Sequence, residues 1–335
     1  MRQEMLIDLL KATSRSFYLT LRILPAAVRP QISLAYLLAR TTDTIADTEL
    51  LPVDQRLDAL KRLRERISGY HSSELSWTEF AEHQGSRAEK TLLEKVETSL
   101  ELLSELPPPD LKLVRDVLTT ITSGQEMDLY RFGKATHQNI VALDNVSDLD
   151  DYTYRVAGCV GAFWTKICRA HLFPRAHLDV DKLILDGTRF GKGLQLVNIL
   201  RDLPTDLKNG RCYIPRQRFE RVQLLPETLL SPANQSRFLP IFHGYLNEAE
   251  AHLTAGWKYT NTLPFSQFRV RLACAWPILI GARTIQKLRQ ADIVELQRRV
   301  KIPRREVNGI LFRSLLASPL PFLWRRQYHA HPESR

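Results

Sequence analysis

Two pairs of aspartates with the same spacing carry the clearest chemical signal in this sequence. Asp43 and Asp47 are four residues apart, and Asp202 and Asp206 repeat that spacing later in the chain. On a helix, side chains four positions apart lie one above the other on the same face. Two such pairs on helices that face each other would form an oxygen-rich site for Mg²⁺, which binds carboxylates together with waters and substrate phosphate oxygens. The alternative is two unrelated pairs of acids on the surface.

The first pair belongs to a longer polar face. Tyr36 and Arg40 precede Asp43 by seven and three residues, so on a helix both project in the same direction as the two aspartates. The intervening leucine and isoleucine residues predict that the other faces are buried. The polar side chains are therefore expected to line a cleft or face solvent.

The second pair continues a polar stripe on an otherwise apolar helix. Gln195, Asn198, Asp202 and Asp206 follow one another by three, four and four positions. Polar side chains in such a setting need hydrogen-bond partners or ligands. Pro204 lies between the two aspartates, and proline removes one backbone donor, so we expect the helix to kink or end near Asp202.

Arginines flank both pairs and point to the class of substrate. Arg40, Arg201 and Arg211 lie within a few residues of an aspartate. Guanidinium forks match the geometry of diphosphate oxygens. A metal ion stabilises a leaving group of that kind. The predicted chemistry is therefore the ionisation of an allylic diphosphate.

The elements that position these residues are predicted to be helices. Leu57, Leu60 and Leu63 recur in helical steps, and similar periodicity continues along the chain, whereas alternating strand-like segments are scarce. Residues 89–106 are predicted to form one amphipathic segment that prolines stop, with Asp110 capping the next helix. We predict an all-α fold and a single domain over residues 1–335.

Composition and charge exclude several classes of protein. The chain has 335 residues with 14 Gly and 18 Pro, and 44% of its residues are hydrophobic, which excludes collagen-like and disordered chains. The net charge of +10 comes from basic residues mixed with acids, so no nucleic-acid partner is expected. No signal peptide and no membrane-spanning segment is recognised, and the four cysteines have the spacing of ordinary buried thiols. We expect a cytoplasmic protein with no obligate protein partner.

Five segments of the chain resemble the squalene and phytoene synthases, which are head-to-head prenyl diphosphate synthases of the all-α isoprenoid-synthase fold. They are residues 14–18 (SRSFY), 36–47, 152–161 (YTYRVAGCVG), 195–211 and 273–277 (ACAWP). The resemblance implies a single large helical bundle with a central cavity. It also implies farnesyl diphosphate as the substrate and Mg²⁺ as the cofactor, with Mn²⁺ as a substitute.

The family's functional positions can be carried over residue by residue. The resemblance implies metal ligands at Asp43, Asp47, Asp202 and Asp206, and catalytic roles for Tyr36, Tyr152, Arg40 and Arg201. It implies substrate contacts at Arg15, Phe17, Arg211, Gln195, Asn198, Val156, Ala157, Val160 and Pro277. The apolar members of this set are expected to line the prenyl-chain cavity, because carbocations must be protected from water.

The sequence departs from the family pattern at three positions. The acidic residue expected just before the last aspartate of each motif is Ala46 in the first motif and Thr205 in the second. Fewer carboxylates would weaken or alter metal binding, although the four outer aspartates remain. Arg155 adds a charge beside apolar Val156, and it requires either a partner or solvent.

Two kinds of synthase within the family remain open, and a basic segment favours one of them. Squalene-type members reduce their cyclopropyl intermediate with NADPH, whereas phytoene and dehydrosqualene synthases lose a proton, and some members stop at presqualene diphosphate. Residues 300–305 (VKIPRR) resemble a basic stretch near the end of squalene synthases, so we assign Lys301, Arg304 and Arg305 to the cofactor phosphates. A solvated loop explains these charges equally well.

Two further hypotheses come from other classes of protein. A non-catalytic scaffold of the same fold is disfavoured, because such relatives are expected to lose aspartates. The second is a basic protein that binds a membrane or RNA surface: residues 311–324 are apolar and lie near Arg313, Arg325 and Arg326, a pattern that fits shallow contact with the inner face of a membrane. A packed terminal helix is the alternative explanation of this segment.

Overall fold

The protein is described by a computed structural model over residues 2–14, 17–70 and 77–328. The chain divides into two compact units: Met1–Gly133 with Phe163–Arg175, and Lys134–Ala162 with Ala176–Arg335. The all-α prediction is confirmed, because helices make up almost all of the regular structure in the described residues. The assignment of residues 1–335 to one domain stays a prediction.

The first unit is built from helices of short and medium length. They are α1 (Arg2–Thr13), α2 (Phe17–Ile23), α3 (Arg29–Ala46), α4 (Val53–Ser68), α5 (Thr78–Glu82), α6 (Arg87–Glu94), α7 (Val96–Ser104) and α8 (Pro108–Phe132). Helix α3 packs against α1, α2, α4, α6, α7 and α8. Leu37, Leu38 and Ile45 of α3 are completely buried. The helix that carries the first aspartate motif is therefore held in place by its apolar face.

The second unit contains the longest helices. Its elements are β1 (Val141–Ala142), α9 (Val146–Thr153), a π-helical turn (Tyr154–Gly158), α10 (Cys159–Leu172), α11 (Val180–Lys208), β2 (Arg211–Cys212), α12 (Arg216–Glu220), α13 (Gln235–Thr262), α14 (Phe268–Gln290), α15 (Ile293–Leu296), α16 (Arg304–Ala317) and α17 (Pro321–Arg325). Helix α10 ends within the first unit. Helix α11 packs against α9, the π-helical turn, α13 and α14, so the second aspartate motif also lies on a central helix.

Small residues allow the π-helical turn and the start of α10 to approach α11. A Cβ atom added to Gly161 would lie 1.8 Å from the carbonyl oxygen of Gly187, and one added to Gly191 would lie 2.2 Å from the carbonyl oxygen of Ala157. Both distances are far below van der Waals contact, so only glycine fits at these two positions. The sequence segment 152–161 therefore owes its glycine at 161 to close backbone packing.

A short parallel ladder fixes the chain just after α11. Val141 pairs with Arg211 and Ala142 pairs with Cys212. Gly210 precedes this ladder with φ of 79°, and its amide donates to the carbonyl of Leu207 over 3.1 Å. Glycine adopts this left-handed backbone without the strain that a Cβ atom would add. The turn places Arg211 immediately after the helix that carries Asp202 and Asp206.

Three local predictions need correction. Asp110 does not cap α8: it lies in the first turn, where its buried carboxylate accepts from Gln31 Nε2 at 2.9 Å and lies 2.8 Å from His171 Nε2. Residues 89–106 do not form one helix, because Lys95, with φ of −107°, separates α6 from α7. Of the two outcomes expected at Pro204, an end of the helix is wrong, because α11 continues to Lys208, and a kink stays a prediction.

Candidate active site

The first motif occupies the C-terminal end of α3. The Arg40 guanidinium donates to Asp43 Oδ2 through Nη1 and to Glu89 Oε1 through Nη2, the second bond being 2.5 Å long. Glu89 belongs to α6, so Arg40 links two helices as well as two carboxylates. Asp47 is the residue just beyond α3, and its side chain is exposed. The motif thus presents one carboxylate already paired with an arginine and one at the surface.

Burial keeps Tyr36 neutral beside this ion pair. Burial raises the pKa of the Tyr36 phenol to about 12; Arg40 lowers this pKa, and Asp43 raises it. The hydroxyl lies 3.5 Å from the carbonyl oxygen of Thr13. A neutral phenol is a hydrogen-bond donor near pH 7 and not a base. Its raised pKa therefore suits the Tyr36 phenol to donating a hydrogen bond rather than to removing a proton.

The neighbouring charges also shift the pKa values of Arg40 and Asp43. Burial lowers the pKa of Arg40, but Asp43 and Glu89 outweigh it and raise the net pKa. Desolvation raises the pKa of the Asp43 carboxyl, and the Arg40 guanidinium opposes that increase. Arg40 is thus permanently cationic, and it is the group that favours the ionised form of Asp43.

The second motif is dominated by Asp202 and two guanidinium groups. Arg201 donates from Nε to Asp202 Oδ1 at 3.0 Å and from Nη2 to Oδ2 at 2.6 Å. Arg299, from the segment between α15 and α16, donates from Nε to the same Oδ1 at 2.6 Å and from Nη2 to Oδ2 at 3.3 Å. Burial raises the pKa of Asp202, but hydrogen bonds from Arg201 and Arg299 outweigh burial and lower it. The carboxylate is therefore ionised throughout the neutral pH range.

The remaining polar residues of the second motif differ in exposure. Asp206 and Gln195 are half-buried, and Asn198 is exposed. All lie on α11, as the predicted stripe requires. Arg211 is half-buried in β2, directly after this helix.

An aromatic stack and the π-helical turn lie in the same unit. Tyr152 on α9 is 9% exposed, and its ring stacks on that of Tyr213 with the centroids 4.8 Å apart. The turn Tyr154–Gly158 follows directly and carries Val156 and Ala157. π-Helical turns within helices occur frequently at functional sites. Val156, Ala157 and, on α10, Val160 are half-buried, as expected of side chains that line a partly open cavity.

The charge at Arg155 has a partner. Its Nε lies 3.0 Å and 2.9 Å from the two carboxylate oxygens of Asp151, one helical turn earlier. Lys192 on α11 bonds Asp150 Oδ1 at 2.6 Å and lies 5.8 Å from the centroid of the Tyr154 ring. The charges around the π-helical turn are thus paired rather than left beside apolar side chains.

The other predicted site residues form three groups by their place in the structure. Pro277 is half-buried within α14. Lys301, Arg304 and Arg305 are exposed, at the start of α16 or just before it. Arg15 lies outside the described residues, and Phe17 begins α2 with a side chain that is not described.

Three partners were not found by sequence reasoning. Glu89, Arg299 and Tyr213 contact Arg40, Asp202 and Tyr152 from other elements. Only Arg299 left a signal, because it stands two residues before Lys301 in a locally basic stretch. Glu89 resembles any exposed acid of an amphipathic helix.

The chemistry of the donor set fits a divalent cation that is shared with a substrate. In the part of the chain that the structure describes, no group of three or more His, Cys, Asp or Glu side chains could hold a metal ion by itself. Each motif instead provides two aspartates at helical spacing. Mg²⁺ is commonly bound by one or two carboxylates, waters and substrate phosphates. Each pair by itself, Asp43 with Asp47 or Asp202 with Asp206, has the chemistry that such a cation requires.

Comparison with solved structures identifies the class of fold. The structure of TcSQS with a bound ligand superposes with a TM-score of 0.78 over 97% of this chain and 91% of that chain, at 20% identity. Squalene synthase HpnC from Alicyclobacillus acidocaldarius gives a TM-score of 0.62 over 86% of this chain and 93% of that chain, at 18% identity. The fold is that of the helical squalene synthase-type isoprenoid synthases.

Sequence comparison defines the family. The squalene/phytoene synthase family model matches residues 10–306, and the chain belongs to this family, whose members are prenyltransferase-type enzymes. It is 25% identical over 313 residues to squalene synthase of Schizosaccharomyces pombe, covering 92% of this chain and 64% of that protein. It is 29% identical over 231 residues to 15-cis-phytoene synthase of Synechocystis, covering 67% of this chain and 59% of that protein. The chain thus spans less than two thirds of the length of either relative.

Proposed function

We propose that this protein joins two farnesyl diphosphates head to head through presqualene diphosphate and reduces that intermediate with NADPH to squalene. The observation that carries the proposal is shared by both motifs: an arginine is bonded directly to the first aspartate, Arg40 to Asp43 through one nitrogen and Arg201 to Asp202 through two. A carboxylate to bind a metal ion and a guanidinium to bind phosphate oxygens are the two groups that diphosphate departure needs.

In the first ionisation, the aspartates and the arginines of the two motifs would have different roles. The aspartate pairs would hold Mg²⁺, which supplies Lewis-acid stabilisation of the leaving diphosphate. Arg40, Arg201 and Arg211 would bind oxygens that the metal leaves free. The neutral phenol of Tyr36 would donate a hydrogen bond at the same end of the substrate.

Closure of the cyclopropane ring requires the loss of one proton. Tyr152 is our candidate to position the base, since its buried ring is held by the stack on Tyr213. The released diphosphate is our candidate for the base itself, because a tyrosine with the ordinary pKa of about 10 is protonated near pH 7 and cannot accept the proton. The half-buried side chains of Val156, Ala157, Val160 and Pro277 would keep water from the carbocations.

The start of α16 supports the assignment of the NADPH phosphates. Arg304 and Arg305 occupy the first turn of this helix, where no side-chain cap is present and the helix dipole is positive. Glu306 in the same turn is paired with Arg283 and Lys287, so a bound phosphate would be the anion that balances Arg304 and Arg305. Lys301 is exposed three residues earlier.

A second candidate activity is the non-reductive synthesis of a phytoene- or dehydrosqualene-type product. The similarity to 15-cis-phytoene synthase of Synechocystis favours it, at an identity close to that with squalene synthase. The test is to incubate the purified protein with farnesyl diphosphate and Mg²⁺, with and without NADPH. We expect squalene with NADPH and presqualene diphosphate without it, and loss of both products in EDTA. The same unsaturated product under both conditions would establish the non-reductive activity.

We further propose that the C-terminal helices touch a membrane surface from the cytoplasmic side. None of the described helices is long and apolar enough to cross a bilayer. Phe312 on α16 and Phe322 on α17 are 62% and 64% exposed, and Arg326 lies over the Phe322 ring at 4.0 Å. Exposed aromatic side chains beside arginines are typical of shallow contact with anionic lipids.

Point substitutions test this surface better than truncation. Trp324 is buried, stacks on Trp257 at 5.4 Å and donates to Asn261 Oδ1 at 2.9 Å, so removal of α17 would damage the fold. Phe312→Gln with Phe322→Gln should lower co-sedimentation with anionic vesicles and leave activity in detergent unchanged. Equal binding by the variant and the original protein would contradict the membrane proposal.

A further inference from the structure

The bonds around Asp202 leave no oxygen lone pair for a metal ion. Arg201 and Arg299 each donate one bond to Oδ1 and one to Oδ2. An ionised carboxylate has about four lone-pair sites, and all of them are used here. Coordination of a cation by Asp202 therefore requires that at least one guanidinium bond is broken.

Charge acts in the same direction as geometry. Asp202 with its two guanidinium groups has a net charge of +1, which opposes the attraction that Asp206, one helical turn further on, exerts on a divalent cation. A diphosphate reverses that balance, because it brings several negative charges. The arrangement thus favours arrival of the metal ion with a diphosphate over arrival of the metal ion alone.

Of the two arginines, Arg299 is the one that can leave. It belongs to the segment between α15 and α16, and its side chain is 48% exposed. Arg201 is the immediate neighbour of Asp202 within α11, and its side chain is 27% exposed. Departure of Arg299 also leaves Asp202 with the Arg201 bonds, so no carboxylate remains unpaired.

We propose that Arg299 is a latch on the second aspartate motif: it holds Asp202 in the metal-free protein and transfers its guanidinium to a diphosphate when the metal–diphosphate complex binds. Arg299 is a positioning residue in this scheme, because it acts through Asp202. The inference rests on the proposed function, which assigns Asp202 to metal binding. It adds that the affinities for metal ion and diphosphate are coupled through one side chain.

Mn²⁺ binding, followed by electron paramagnetic resonance with and without inorganic pyrophosphate, tests the latch without any turnover. In Arg299→Gln, Mn²⁺ alone should bind more tightly than in the original protein by about 5- to 150-fold, the usual range for two coupled ligands. Pyrophosphate should then raise the Mn²⁺ affinity of this variant less than that of the original protein. Arg299→Lys keeps the charge but loses the fork, so its affinity should fall between the two.

Two controls isolate the proposed contact. Arg298→Gln removes an equally exposed neighbouring arginine and should leave Mn²⁺ binding unchanged. In an Asp202→Asn background, Arg299→Gln should not change the Mn²⁺ affinity further, because the carboxylate that Arg299 bonds is already absent. This comparison is a double-mutant cycle.

The outcomes separate the latch from the proposed function. Suppose that pyrophosphate supports Mn²⁺ binding in every arginine variant, but that without pyrophosphate Arg299→Gln and the original protein bind Mn²⁺ with the same affinity. The latch is then wrong, and the proposed metal site remains supported. If the original protein and Arg299→Gln both fail to bind Mn²⁺ even with pyrophosphate, the metal site itself is wrong and the latch falls with it.

Discussion

At the scale of single residues, the two motifs have the same spacing of aspartates but differ in the number of arginines that bond the first aspartate. Asp43 has Arg40 as its partner, and Arg40 is shared with Glu89. Asp202 has two arginines of its own. A single substitution should therefore affect the two motifs through different neighbours.

The aspartates should be required for turnover and dispensable for folding. Asp43→Asn or Asp202→Asn should lower kcat by about a hundredfold or more, the scale seen when one preorganised charge-stabilising group is removed. Both variants should stay folded because neither carboxylate is enclosed in the apolar core, although Asp202→Asn should lower the melting temperature since it loses the charge that two arginines bond. Glu94→Gln and Asp181→Asn, which remove exposed carboxylates from α6 and α11, are the matched controls. Wild-type rates in either aspartate variant would remove that motif from the mechanism.

Fork geometry should matter at Arg201 beyond its charge. Arg201→Lys keeps the cation but cannot bond both oxygens of Asp202 and a diphosphate together. We expect a higher KM for farnesyl diphosphate, a lower kcat, or both, measured by steady-state kinetics. Unchanged constants would show that Arg201 serves only the structure of α11.

Sequence reasoning found the site residues that share an element and missed their partners from other elements. Tyr36, Arg40 and Asp43 could be predicted together because helical periodicity alone places them on one face. Glu89 and Arg299 could not, because their contacts depend on how distant elements pack. The carried-over roles of the predicted site residues stay predictions until the variants are measured.

At the scale of elements, the approach of the π-helical turn and α10 to α11 should be intolerant of one methyl group. Gly161→Ala would place a Cβ atom 1.8 Å from the backbone of Gly187, and backbone cannot rotate away as a side chain does. Overpacking of this kind costs about 1–3 kcal/mol, and more where the backbone must shift. Urea denaturation should show the loss.

Gly244 provides the matched control on α13. A Cβ atom there meets nothing within 4 Å, so Gly244→Ala should stabilise the protein by up to about 1 kcal/mol through helix propensity. Equal effects of the two substitutions would contradict the close approach at Gly161.

Element boundaries were less predictable than element type. The leucine periodicity identified helices correctly, but it continues across Lys95, because Leu92, Leu93 and Val96 are buried on both sides of the break. Pro204 could have kinked or ended α11, and the helix continues past it because proline removes only one backbone donor. Asp110 had the right residue type for a cap, but its buried bonds to Gln31 and His171 are tertiary contacts.

At the scale of the whole molecule, one half-buried histidine should make stability depend on pH. Burial lowers the pKa of His252 to about 4, helped by Arg189 and Lys192 and opposed by Asp150. Its Nδ1 is buried without a hydrogen-bond partner among the described residues. An unfolded histidine has a pKa near 6.5, so the unfolded chain binds the proton first as the pH falls.

The free energy of unfolding should therefore decrease between about pH 6.5 and pH 4 because of this residue. Urea titrations across that range should show a flatter profile in His252→Gln than in the original protein. His137→Gln, at an exposed position, should retain the original slope. Parallel profiles for His252→Gln and the original protein would show that His252 does not control this dependence.

The class of fold and the family followed from sequence because they rest on periodicity and on motifs that are local in the chain. The squalene/phytoene synthase match over residues 10–306 confirms the family. The choice between reductive and non-reductive chemistry depends on what binds beside the basic residues 299–305, and that ligand leaves no periodic signal in the sequence.

The central claim is that a carbon–carbon bond forms between two farnesyl groups, and a single-turnover experiment tests it most directly. The protein is mixed with labelled farnesyl diphosphate and Mg²⁺, the reaction is quenched over time, and pyrophosphate and lipid products are measured together. We expect one pyrophosphate per presqualene diphosphate without NADPH and two per squalene with it. Pyrophosphate release with farnesol as the sole lipid product would show that the two farnesyl groups are not joined.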